Sequence, residues 1–153
     1  MTDPLHRLLG SDLAADPAFL LARARAVTSG AANARLAGFQ LKVRSLSVLW
    51  LASQGFGPSQ RELSEFLGLD PSQVVALVDD LQGRGLVERR PDERDRRSRI
   101  IVATEAGLDL LEQALVETRA AGDATFAGLT DDERKTLTGL LTKVAFGGRA
   151  AGD

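Results

Sequence analysis

Apolar positions along this chain recur mostly at helical spacing, and one pair of short β-prone runs interrupts them. Asp16-Pro17 offers an N-cap followed by proline at the first helical position, so residues 18–37 read as an alanine-rich helix with Gly30 as its weak point. Leu46, Val48, Leu49, Trp50 and Leu51 are too uniformly apolar for a surface helix, and residues 44–53 therefore read as a buried one, ended by residues 55–58. Ser59-Gln60-Arg61-Glu62 has the capping-box pattern, opening a short helix to Leu67. Beyond Gly68, Asp70-Pro71-Ser72-Gln73 starts another helix, to about Gln82, which Gly83 and Gly85 stop. Residues 86–89 and 99–102 then read as the strands of a hairpin with a charged tip. Thr104 caps a long helix to about Phe126, and Thr130-Asp131-Asp132-Glu133 opens a last one that Gly147-Gly148 closes, with frayed residues after it.

Two short helices joined through Gly68-Leu69 have the form of a helix-turn-helix, and the hairpin behind them is a wing. The expected fold is mainly α, a winged helix-turn-helix with a two-stranded β wing and flanking helices. At about 100° per residue, Val74, Leu77, Val78 and Leu81 share a core-facing side of the second helix. Ser72, Ala76, Asp79, Asp80 and Gly83 lie opposite, with Gln73 at the edge. A polar face is usually just solvated. Here its N-terminal end carries small residues and an amide, which suit close approach to base edges, glutamine pairing with adenine and serine with several partners. Asp79 and Asp80 would repel phosphate, so they are assigned to pairing with wing arginines.

Charge supports that reading only locally. The chain carries a net charge of −2, yet residues 84–99 hold seven arginines against four acids. Guanidinium suits both phosphate pairing and a narrow minor groove. Interleaved Asp92 and Asp95 can brace some of these arginines. Candidate DNA contacts are therefore Ser59, Gln60, Ser72, Gln73, Ala76, Arg84, Arg90, Arg94, Arg96, Arg97 and Arg99, with Asp79, Asp92 and Asp95 as wing braces.

Residues 41–107 resemble the MarR (multiple-antibiotic-resistance regulator) family. The resemblance rests on Asp92-x-Arg94-Asp95-x-Arg97, set between Gly85-Leu86-Val87-Glu88-Arg89 and Thr104-x-x-Gly107, and on Val74, Val78-Asp79 and Leu81. It implies one domain over 1–153, with a winged core at 41–104 and dimerisation helices at 16–40 and 105–147. It further implies a symmetric homodimer with interlocked terminal helices, a recognition helix in the major groove of a palindromic operator, a wing arginine in the minor groove, and partly structural roles for Asp95 and Arg97. Two positions depart from the pattern: Lys42 stands where the family often has a threonine cap, and Ala103 where leucine commonly precedes Thr104.

Other chemistry is sparse. No cysteine is present, which excludes disulfides, thiolate metal sites and thiol nucleophiles. His6 is the single histidine, no carboxylate cluster has metal-ligand spacing, and neither a cofactor nor a metal is expected; the sequence does not read as an enzyme. No apolar run is long enough for a bilayer and the N-terminus lacks a basic-then-apolar pattern, so a cytoplasmic protein is expected. Leu137, Leu140, Leu141 and Val144 form an apolar stripe, and leucines 108, 111 and 115 another, for which a second copy is the expected cover. The resemblance and the missing cysteine together favour a small aromatic or phenolic effector, in a cavity between the dimerisation helices and the winged core, lined by the helix of Trp50; a plain core role is the alternative for Trp50 itself. The alternative is a winged-helix module that binds proteins and not DNA; a duplex titration at varied salt separates the two.

Overall fold

The computed structural model describes residues 4–147. Its helices in chain order are α1 (Pro4–Leu8), α2 (Pro17–Leu36), α3 (Val43–Ser53), α4 (Gln60–Leu67) and α5 (Pro71–Gly83), then the strands β1 (Val87–Pro91) and β2 (Arg99–Ala103), then α6 (Glu105–Thr125) and α7 (Asp131–Phe146). The caps act where the sequence placed them. Asp16 accepts the Phe19 N–H at 2.8 Å, Thr104 accepts the Gly107 N–H at 3.0 Å, and Ser59 with Glu62 and Thr130 with Glu133 form reciprocal boxes.

The start of α3 is solved differently. Lys42 gives no side-chain cap, and Asn33, from α2, accepts the Val43 N–H at 2.9 Å instead. A cap borrowed from another helix also ties α2 to α3, and this compensates for the unusual lysine. Gln40 just before it takes the left-handed conformation, at φ 53°.

Leu36, Val48, Leu49, Leu63, Val74, Val78, Leu81, Val87 and Ile101 are fully buried, so α3, α4, α5 and the wing strands share one core. Gly68 turns left-handed at φ 62° to end α4, and the Ser64 hydroxyl donates to the Leu69 carbonyl at 2.6 Å across the turn. Antiparallel pairing runs from Val87 opposite Ala103 to Pro91 opposite Arg99. Ile101 donates its N–H to the Pro58 carbonyl at 2.8 Å, which pins the wing beside the start of α4. Leu111 and Ala114 of α6 join the core, and α6 runs along α2.

Several expectations are corrected. The segment before Asp16 contains α1, which carries His6 and begins at the proline of Asp3-Pro4, the same residue pair as Asp16-Pro17, and a short 3-10 turn at Asp12–Ala15. The α3 helix is not buried all round: Trp50 is 45% exposed, because it lies roughly opposite buried Val48 and Ala52 around the helix. Leu111 needs no partner subunit, since it packs in its own core, whereas Leu108 stays exposed. Gly30 does not interrupt α2. The closing Gly148 and the fraying read after it lie outside the described residues, while Gly147 is left-handed at φ 61° as a helix stop should be.

Candidate nucleic-acid interface

The N-terminal half of α5 presents Ser72, Gln73 and Ala76 to solvent, while Val74 and Val78 anchor the helix from behind. Ser72 and Ala76 have no side-chain partner. Gln73 is half engaged: its Oε1 accepts the Asp70 N–H at a long 3.3 Å, which leaves its amino group outward. Pairing with both edges of an adenine needs oxygen and amino group together, so Gln73 would first release that weak bond.

The wing tip is held by short local bonds. Asp92 accepts the Arg94 backbone N–H at 2.9 Å and its guanidinium at 3.2 Å, and this pairing holds the Asp92 carboxyl below its usual range. Asp95 accepts the Arg97 N–H at 3.0 Å and the Ser98 hydroxyl at 3.0 Å. The expected brace is therefore of a different kind: Asp95 shapes the backbone and pairs with no arginine side chain. Arg96, Arg97 and Arg99 are exposed with unpaired guanidinium groups, and Arg90 pairs with Glu88 two positions before it on the same strand.

Some candidates point elsewhere. The Ser59 hydroxyl donates to Glu62 at 2.8 Å within the cap, so it is spent on starting α4. Glu62 titrates below its usual range because the Ser59 N–H, then the Ser59 hydroxyl, favour its anion, with the nearby Arg94 charge adding to this. Arg84 is a fold residue. Its guanidinium donates to the Gln40 and Phe39 carbonyls at 2.9 Å each and lies 3.7 Å from Asp80, binding the end of α5 to the turn after α2. Asp80 is thus corrected as well, since Arg84 and not a wing arginine takes it.

Arg89 was not among the candidates, yet it meets three acceptors: Gln60 at 2.8 Å, Gln82 at 2.6 Å and Asp79 at 2.5 Å. Asp79 thereby does pair with a wing arginine. A signal existed, because strand alternation puts Arg89 on the same face as buried Val87 and opposite to Arg90. A cleft of about 870 Å³ lies between α2, α3 and the turn into α5, in the region where the effector cavity beside the helix of Trp50 was expected. Arg25, Lys42 and Arg44 line it together with Gln73, and Trp50 does not. Among the described residues no cluster of carboxylates or histidine is placed to hold a metal, and no helix is long and apolar enough to cross a membrane.

Two helices joined at a left-handed glycine, with an arginine-tipped hairpin beside the second, define a winged helix-turn-helix protein. The chain belongs to the MarR family, whose profile matches residues 39–98. A MarR-family regulator from Rhodococcus sp. RHA1 is 41% identical with a TM-score of 0.83, over 90% of this chain and 97% of that one. CouR from Rhodococcus jostii RHA1, in its structure bound to p-coumaroyl-CoA, is 40% identical with a TM-score of 0.83, over 94% of this chain and all of that one. The repressor NicR of Pseudomonas putida is 33% identical over 94 residues, 61% of this chain and 60% of NicR. Matched stretches span only half to three fifths of the curated relatives' lengths. These relatives are transcriptional regulators and not enzymes.

Proposed function

We propose that this protein is a homodimeric, sequence-specific double-stranded DNA-binding regulator, with 41–104 as the reading unit and 16–40 and 105–147 as dimerisation helices. The observation that carries it is the union of an unobstructed α5 N-terminus, at Ser72 and Ala76, with an adjacent tip on which Arg96, Arg97 and Arg99 are unpaired. The α5 face reads bases and the tip holds phosphate or minor groove. Unpaired guanidinium groups beside that helix favour a polyanionic duplex over the alternative of a protein-binding module. Selection from a random duplex pool, followed by titration of the winning duplex at several salt concentrations, tests this. A palindromic winner is expected. Arg96→Ala should lower the slope of log affinity against log salt by about one unit. No enrichment of any sequence refutes the reading.

Ligand control is proposed for a specific reason. The cleft carries Arg25, Lys42 and Arg44 and touches Gln73, so an anionic ligand seated there meets the first turn of the recognition helix. CouR, of similar fold and sequence, binds p-coumaroyl-CoA. The effector class is therefore an aromatic acid or its coenzyme A thioester, acting by its differential affinity for the two states. Titration with p-coumaroyl-CoA, p-coumarate and coenzyme A should release the selected duplex with at least one of them. DNA must weaken that ligand by the same factor, and failure of this reciprocity refutes the coupling. A cytoplasmic location follows from this function.

A further inference from the structure

We propose that Arg89 is the positioning residue that fixes the wing against the recognition helix, and that it turns the Gln82 amino group outward as a phosphate donor. This rests on the DNA-binding reading above. Arg89 leaves β1 and reaches α4 through Gln60, and α5 through both Asp79 and Gln82, with Nε, Nη1 and Nη2 each taking a separate acceptor. Its side chain is 25% exposed, whereas Asp79 is 58% exposed. Three donors in one rigid plane define a distance and an angle, which a single contact cannot do.

Two consequences follow from the chemistry. A guanidinium only donates, so the carboxamides of Gln60 and Gln82 must turn their oxygens toward Arg89 and their amino groups away from it. Outward amino groups beside the arginine tip can only donate, and phosphate oxygens only accept. Gln82 thus joins Gln60 on the phosphate-facing rim, although the sequence did not single it out. Arg89 also neutralises Asp79 on the exposed face of α5, where an unpaired carboxylate would repel DNA.

Two variants test separate parts, each measured on the selected operator and on a random duplex, with thermal melts alongside. Arg89→Lys keeps the charge and loses the fork. It is expected to cut the ratio of operator to random affinity about tenfold, with the salt slope and the random-duplex affinity kept. A merely structural arginine would lower the melt and leave that ratio alone; a direct phosphate contact would lower both affinities together at an unchanged ratio. Either result overturns the positioning role. Gln82→Met removes the outward donor without adding a charge and leaves Arg89 its contacts to Gln60 and Asp79. It is expected to weaken both duplexes several-fold at an unchanged ratio, and unchanged binding overturns the donor role. This second variant remains decisive should Arg89→Lys melt early. A wild-type protein that enriches no duplex removes the DNA-binding reading itself, whereas a wild-type binder with indifferent variants removes Arg89 and Gln82 alone.

Discussion

Gly107 is the position at which a single methyl group should cost this fold most per atom added. A Cβ there would stand 2.0 Å from the Leu86 carbonyl oxygen, 3.0 Å from its carbon and 3.1 Å from Leu49 Cδ1. Carbon and carbonyl oxygen normally approach no closer than about 3.3 Å, so α6 and the Leu86 backbone must part by roughly 1 Å. Neither side can rotate away, because both are backbone. The same Leu86 carbonyl accepts the Thr104 N–H at 3.0 Å, and Thr104 donates its hydroxyl to the Gly85 carbonyl at 2.6 Å. Overpacking costs about 1–3 kcal/mol and a strained hydrogen bond about 1 more, while alanine regains about 1 in helix propensity. Gly107→Ala should therefore lose about 1–3 kcal/mol, or roughly 3–10 °C of melting temperature for a chain of this size. The assay is a thermal melt followed by circular dichroism at fixed protein concentration, since oligomerisation would otherwise shift the midpoint. Gly83→Ala is the control, because a Cβ there meets nothing within 4 Å. Gly107→Ala melting at or above wild type would refute the reasoning.

Glu62 and Glu133 are held below the usual carboxylate range by their capping partners Ser59 and Thr130, so their contribution is complete above that range and is lost as pH falls through the depressed folded values. Glu133→Gln should accordingly flatten the acid limb of stability against pH, and an unaltered limb would count against the cap. Asn33→Ala removes the only side-chain acceptor at the start of α3 and should cost about 1 kcal/mol; adding Lys42→Thr should restore most of it in a chemical melt. Helix α7 has no buried residue, and Leu140 and Val144 are 56% and 70% exposed. Leu140→Glu with Val144→Glu should turn a dimer into a monomer or an aggregate by sedimentation, and an unchanged dimer would place the interface elsewhere.

Elements with a start signal were legible, since a capping box or an aspartate-proline pair acts within four residues and owes nothing to the rest of the fold. That is why α2, α4, α5, α6 and α7 begin where the sequence puts them, while α1 begins at the proline of Asp3-Pro4 but at 5 residues is too short for helical periodicity to show. The core face of α5 was legible for a related reason, because helical phase is local. Side-chain partners in the arginine cluster were not. Arg84, Arg89, Arg94 and Arg96 are the same residue type in one charged run, and apart from the strand alternation that sets Arg89 on the face of Val87, nothing along the chain tells which will find acceptors. Arg84 finds carbonyls some forty-five positions earlier, at Phe39 and Gln40, and Arg89 finds a glutamine on α4. Arg94 is kept by its near neighbour Asp92, and Arg96 is left free. A cation already matched to protein acceptors gains less from phosphate, since it must break those bonds first, while a free one exchanges only water and counterions. The arginine count of the run therefore overstates its capacity for DNA. The capacity rests on the few guanidinium groups that the fold leaves unmatched, and the matched ones hold the wing and the recognition helix at the spacing those few require.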